Sequence, residues 1–305
     1  MASRVIVFGY GGPALAALDT FARLGTAPVA VVVPGNRTGE AVDSVVADAA
    51  RRGYPVLVQP TRKALAPFLD QIRALRPDVL FVWSYTMLLP AELLSLAPRG
   101  GVNLHGASLP QYRGGHALNW TLINGERETA ATLHVIDEGV DTGPVFAERR
   151  VPIDDDDDIT RVHHKLVDAG GALLREWWPR IERGEAVPVP QDDSLARYYP
   201  MRTPEDGRVD WTQSSEQVRN LVRALTAPWP GAFADVHDTR VVFRRVTPLE
   251  RPHPDPAGTG LRDEGEAVVI ATGRGALRID AAEINGMPAS NDDLRAAGLR
   301  EGVRL

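Results

Sequence analysis

Short unbroken apolar runs alternate with stretches of helical spacing through the first hundred residues. Arg4 to Gly9 (R-V-I-V-F-G) is a β-branched run closed by glycine, which predicts a buried strand. From Pro13 to Leu24 the apolar positions return at helical spacing, with Leu15, Leu18 and Phe21 on one face. Pro28 to Val33 predicts the second strand, and Glu40 to Arg52 a helix ended by Gly53. Pro55 to Val58 predicts the third strand, Ala64 to Leu75 a helix, Asp78 to Trp83 the fourth strand and Gly101 to His105 the fifth. Strands that are apolar on both faces and separated by helices predict a mostly parallel sheet covered on both sides. Ligands of such sheets sit beyond the carboxyl ends of the strands. Gly9-Tyr10-Gly11-Gly12, Trp83 to Leu88 and Asn103 to His105 all fall there.

The pattern then changes. Gly115 to Asn124 predicts a helix, Thr129 to Ile136 and Pro144 to Val151 two further strands, and Ile159 to Arg183 a long helix. Pro188, Pro190, Pro200 and Pro204 punctuate a stretch that reads as a linker. Arg208 to Leu225 predicts a short strand and a helix, followed by the Pro-Trp-Pro-Gly turn at 228–231. Short strands at Phe233–Val236, Val241–Val246, Glu266–Ala271 and Ala276–Ala281 suggest a small barrel. The expected division is a catalytic domain over 1–189, a linker over 190–207 and a second domain over 208–305.

Composition narrows the function classes. A net charge of −6 gives nothing global that recruits nucleic acid or an anionic membrane. Met1 to Val5 runs straight into the first strand without the apolar core of a signal peptide. No apolar run reaches the ~18 residues of a membrane span, so a cytoplasmic location is expected. The absence of cysteine excludes disulfides, a thiol nucleophile and thiolate-bound zinc.

Chemistry concentrates between Asn103 and Gly143. Asn103 and His105 lie two residues apart, on the same side of a strand's pleat at its carboxyl end. Leu109-Pro110-Gln111-Tyr112-Arg113-Gly114-Gly115 follows as a rigid loop, and Asp137-Glu138-Gly139-Val140-Asp141-Thr142-Gly143 as an acidic turn between strands. Alone, Asn-x-His is more often structural, and the acidic turn lacks the spacing and final Glu of a calcium loop. Together they supply an oxyanion donor, a proton carrier and a carboxylate that orients it, in Asn103, His105 and Asp141. The turn Gly9-x-Gly11-Gly12 is half a dinucleotide fingerprint. Position 14 is Ala, and no acid follows strand two. Asp154 to Asp158 reads as acids beside a helix's positive end, one of them a cap, rather than as a metal site. His163 and His164 are adjacent in a helix and diverge. Trp177, Trp178, Trp211 and Trp229 read as packing residues.

Asn-x-His, then Leu-Pro-x-Tyr-Arg-Gly, then Asp-Glu-Gly-x-Asp-Thr-Gly resembles the folate-dependent formyltransferase family. The likeness continues through Asn119-Trp120, Arg202-Thr203-Pro204, Asp210-Trp211 and Pro228 to Phe233, and so covers nearly the whole chain. It is greatest toward the amino-sugar N-formyltransferases, such as the domain that modifies UDP-4-amino-4-deoxy-L-arabinose. The resemblance implies a Rossmann-like α/β domain with a small β-rich, OB-like domain after it. It also implies Asn103, His105 and Asp141 as the catalytic set and 10-formyltetrahydrofolate as the donor, without a metal. The pterin is expected against Trp83, Tyr85, Met87, Leu88 and Leu89, and against Ile136, Asp137, Glu138, Gly139 and Val140. The acceptor is expected near Gly9, Tyr10, Gly11 and Gly12 and near Tyr112, Arg113 and Gly114.

Two positions depart from the family pattern: Ala107 stands where a hydroxyl is usual, and Gly115 where the arabinose enzyme has Arg. The expected acceptor is a small-molecule amine, most simply a nucleotide-linked amino sugar. The alternatives are a hydroxyornithine and a charged initiator tRNA. Against tRNA, the segment Val33 to Glu40 is short and carries one Arg. A folate-binding scaffold without catalysis is the rival from another class, and the intact Asn/His/Asp set argues against it.

Overall fold

The computed structural model describes residues 3–61, 65–263, 265 and 267–305. Ala64 and Glu266, the first residues of a predicted helix and a predicted strand, lie outside them, as do Met1 and Ala2. The chain groups into two compact units. The first comprises residues 1–117, 128–152 and 164–199, and the second residues 118–127, 153–163 and 200–305.

The first unit is built on β1 (Val5–Gly9), β2 (Ala30–Pro34), β3 (Val56–Gln59), β4 (Val79–Trp83) and β5 (Gly101–His105). These strands run parallel in the order β3-β2-β1-β4-β5. Strands β1, β2 and β4 are buried along their whole length, which is why their sequences show no polar alternation. The helices between them are α1 (Gly11–Leu24), α2 (Glu40–Arg51), α3 (Leu65–Ala74) and the four-residue α4 (Ala91–Leu94). On one face Ile6, Phe8, Val32, Leu80 and Val82 form a cluster with Phe68, Ile72 and Leu93. On the other, Phe81 meets Phe21 edge-on, and both meet Trp178 of the long helix α6 (Ile159–Glu182) at 5.9 and 4.9 Å. Successive residues of β4 thus serve opposite layers.

The sheet is mixed. A two-residue strand, β6 (Arg113–Gly114), and the short helix α5 (Ala117–Ile123) follow β5. Then β7 (Glu128–Ile136) pairs antiparallel with β5, and β8 (Val145–Pro152) antiparallel with β7. The register sets His134 opposite Asn103 and Thr132 opposite His105. The predicted helix from Gly115 begins two residues later, because His116 takes a left-handed backbone, φ 52°. Residues 188–199 are pinned rather than loose: Val189 exchanges both backbone hydrogen bonds with Val145, and β9 (Tyr198–Tyr199) pairs with β6.

In the second unit α7 (Ser215–Ala224) begins with a capping box between Ser214 and Gln217 and packs against the following sheet. The strands are β10 (Ala232–Val236), β11 (Thr239–Leu249), β12 (Gly260–Leu261), β13 (Val268–Ala271), β14 (Ala276–Ile284) and β15 (Met287–Ala289), followed by helix α8 (Asn291–Ala296). The order is β10-β11-β14-β13-β12, with β15 added on β14, all antiparallel. An irregularity around Arg245 breaks the β11–β14 register and bends the pair. Among the described residues β10 and β12 remain sheet edges, so the sheet curls without closing. The acidic run serves the backbone of this unit. Asp157 accepts from the Asp154 N–H, Asp158 caps α6 by accepting from the Arg161 N–H, and Asp155 pairs with Arg127. Among the described residues no group of three or more His, Asp or Glu side chains is placed to hold a metal ion. No described helix is long and apolar enough to cross a membrane.

Candidate active site

Strand β5 delivers Asn103 and His105, two residues apart, to one face. The loop between β7 and β8 delivers Asp141. The His105 Nδ1 lies 3.6 Å from Asp141 Oδ2, and the Asn103 Nδ2 3.5 Å from Asp141 Oδ1. The three residues predicted from spacing are therefore assembled around one carboxylate.

His134 completes the cluster, and sequence reasoning missed it. It is 2% exposed and sits across the β5–β7 pair from Asn103. Its Nδ1 is 2.8 Å from the Val135 carbonyl oxygen, which can only accept, so Nδ1 carries the proton. Its Nε2 is then an acceptor, and the Asn103 Nδ2 donates to it at 3.0 Å. This contact decides which end of the Asn103 amide faces the imidazole. The second Asn103 N–H makes only the long contact to Asp141 and is the one that can be redirected.

The same logic orients His105. Its Nε2 is 2.7 Å from the Tyr112 carbonyl oxygen, so Nε2 donates. Nδ1, facing Asp141, is the nitrogen that can exchange a proton. Burial alone would raise the Asp141 carboxyl. An imidazolium at His105 and the Gly114 N–H outweigh that, and hold the carboxyl well below the usual carboxylate range. The Gly114 N–H donates to Asp141 Oδ2 at 2.9 Å. Asp141 itself has a left-handed backbone, φ 54°.

Two glycines are set by close approach. At Gly114, φ is 102°, and a Cβ would run into the Tyr199 carbonyl oxygen. At Gly143 a Cβ would run into the Val135 carbonyl oxygen, where the β7–β8 register shifts. Beside them, Asp137 ties its own turn by accepting from the Gly139 N–H and the Thr142 hydroxyl, at 3.1 and 2.5 Å. Buried Ala107 offers its carbonyl to the Thr132 hydroxyl at 2.8 Å.

The other predicted residues divide. Tyr85, Leu89 and Ile136 pack, partly buried, against one apolar cluster. Tyr85 donates to Gln59, whose amide in turn donates to the Leu88 carbonyl. Leu88 is 78% exposed, and Met87 is half-buried. Trp83 is buried, and Asp137, Glu138, Gly139 and Val140 are exposed. The Gly9 to Gly12 turn opens α1, and the Tyr10 N–H donates to the Ser84 carbonyl, which ties the turn to the loop after β4.

Tyr112, Arg113 and Gly114 were expected at the acceptor, but they face the scaffold of the site. Tyr112 stacks on Tyr199 at 5.0 Å. Arg113 is 1% exposed and donates to Gln191, Asp193 and Tyr198. Gln191, also absent from the sequence reading, donates to the carbonyls of Asp141 and Gly143.

An amide, an imidazole and a carboxylate gathered at the carboxyl end of a parallel strand are groups with which an acyl group can be moved onto a nucleophile. The sequence profile described as formyl transferase matches residues 6–177, and that of the formyl transferase C-terminal domain matches residues 202–293. The chain belongs to the formyl transferase family. An N-formyltransferase from Helicobacter canadensis, solved with folinic acid and dTDP-3-aminofucose, superposes with a TM-score of 0.70 at 17% identity, over 92% of this chain and 98% of that one. HypX from Aquifex aeolicus, solved with tetrahydrofolic acid, gives 0.62 at 22% identity, over 98% of this chain and 47% of that one. Glycinamide ribonucleotide transformylase 1 from Symbiobacterium toebii gives 0.54 at 24% identity, over 63% of this chain and 95% of that one. The chain thus spans about half the length of HypX.

Proposed function

We propose that this chain transfers a formyl group from 10-formyltetrahydrofolate to the primary amine of a nucleotide-linked amino sugar, with Asn103, His105 and Asp141 as the catalytic residues. The observation that carries the reading is their convergence, with the Asp141 carboxylate within 3.6 Å of both partners. The donor supplies an activated formyl group. The residues of the expected donor site are of the kind a flat heterocycle packs on: Tyr85, Leu89 and Ile136 are partly buried against the apolar cluster, and Leu88 and Val140 expose apolar side chains.

The chemistry needs a neutral amine, a place for negative charge and a route for one proton. His105 takes the proton of the attacking amine at Nδ1, since Nε2 is held by the Tyr112 carbonyl. Asp141 stabilises the imidazolium that results. Asn103 turns its second N–H toward the charge that develops on the formyl oxygen, while His134 keeps the amide oriented. As the C–N bond to the amine forms and the C–N bond to the donor breaks, tetrahydrofolate leaves with a proton returned from His105.

Two features favour a small acceptor over tRNA. The connection from β2 to α2 is only residues 35–39, with Arg37 as its one basic residue, and the chain carries a net charge of −6. The sugar nucleotide bound in the Helicobacter enzyme supports the choice among small amines. Gly115, where the arabinose enzyme has Arg, gives only its N–H, to the Tyr199 carbonyl. The best acceptor is therefore expected to be a sugar nucleotide other than UDP-4-amino-arabinose.

The test is a kcat/KM comparison with 10-formyltetrahydrofolate across dTDP- and UDP-linked amino sugars, hydroxyornithine and methionyl-tRNA. We expect one sugar nucleotide to lead by about tenfold or more. A lead of that size for hydroxyornithine or the tRNA would overturn the acceptor assignment.

A further inference from the structure

We infer that Gln191 is a positioning residue for this reaction: its side-chain amide, oriented by Arg113, holds the backbone of the Asp141 loop where the carboxylate meets His105 and Asn103. The inference rests on the formyl-transfer reading above. Gln191 Nε2 donates to the Asp141 carbonyl at 2.8 Å and to the Gly143 carbonyl at 2.7 Å. Its Oε1 accepts from Arg113 Nε at 3.1 Å and from Arg113 Nη2 at 2.9 Å. Both hydrogens and both lone pairs of the amide are used. The amide has only one orientation, because a flip would set its NH₂ against a guanidinium and its oxygen against two carbonyls.

The arrangement holds Asp141 from two sides. Arg113, through Gln191, fixes the main chain of the loop. The next residue, Gly114, fixes the carboxylate with its N–H. One dipeptide of β6 thus governs both the backbone and the side chain of a residue whose left-handed conformation is uncommon outside glycine. Arg113 is itself anchored by Asp193 and Tyr198. The titratable groups facing the Asp141 carboxylate are His105 and His134. Loss of the Gln191 amide acts on the carboxylate by releasing the loop that carries it.

Two substitutions separate positioning from a merely structural role. Gln191→Ala removes the clamp. Gln191→Glu keeps the size and the Arg113 partner but sets an oxygen against two carbonyls. For both we expect a cooperative folded state and a fall in kcat on the order of 100-fold, the scale of a misplaced catalytic group. The KM for the amine should stay within about threefold, because no acceptor contact is removed. In a carbon-13 titration of the Asp141 carboxyl, Gln191→Ala should move it up toward the ordinary ~3.9, as His105 and Gly114 are lost as partners. Unchanged kcat in both variants and an unchanged Asp141 titration in Gln191→Ala would overturn the inference. If the wild-type chain transferred formyl to no amine, the functional reading would fall, and the titration would still decide the positioning.

Discussion

Asp141 is ionised in a place where burial by itself would favour its neutral form. His105 and the Gly114 N–H reverse that balance and lower the carboxyl from its ordinary value. Its folded-state value lies below the unfolded value of about 3.9. The stabilisation is therefore fully present above that pH, and is lost as pH falls through the folded value. Asp141→Asn should cost on the order of 2 kcal/mol at pH 7, and clearly less relative to wild type at pH 3. Urea denaturation at the two pH values checks this, and an equal cost at both would contradict it. Asn103, His105 and Asp141 stood out in the sequence because two share a strand end, the third lies in a glycine-framed turn, and the runs that carry them resemble a family pattern. His134 escaped because only the antiparallel register brings it opposite Asn103. Gln191 escaped because it sits in a proline-rich stretch, 50 residues from the loop that it holds.

Strands β1, β2 and β4 were legible because burial on both faces leaves an unbroken apolar run. The elements α4, β6, β9, β12 and β15, each of two to four residues, carry no apolar run or period that marks them in the sequence. One pair of them bears on the site. The β6–β9 pair brings Gly114 against the Tyr199 carbonyl and aims its N–H at Asp141. Gly114→Ala meets both a clash and a positive φ. A non-glycine residue held there costs about 1–3 kcal/mol, so unfolding should occur at lower urea. Because the N–H at 114 would shift, turnover should fall as well. Wild-type stability and turnover in Gly114→Ala would show that β6 does not hold Asp141. The direction of β7 and β8 was not readable from their sequences, since pairing direction depends on what the intervening chain can reach.

At the scale of the whole molecule, the two family matches follow one another along the chain and leave only residues 178–201 between them. The proline-rich stretch between the matches contains Gln191, Asp193 and the β9 residues that fasten β6. The proposed role of Asn103, His105 and Asp141 in formyl transfer is decided by incubating wild type and His105→Ala with 10-formyltetrahydrofolate and an amino-sugar nucleotide. The mass of the sugar product and the release of tetrahydrofolate are followed together. Wild type should add one formyl group per amine with matched tetrahydrofolate release. His105→Ala should stay folded and turn over about 10²–10⁴-fold more slowly, as expected for a lost general acid–base group. Turnover of His105→Ala near the wild-type rate on the same acceptor would contradict the account.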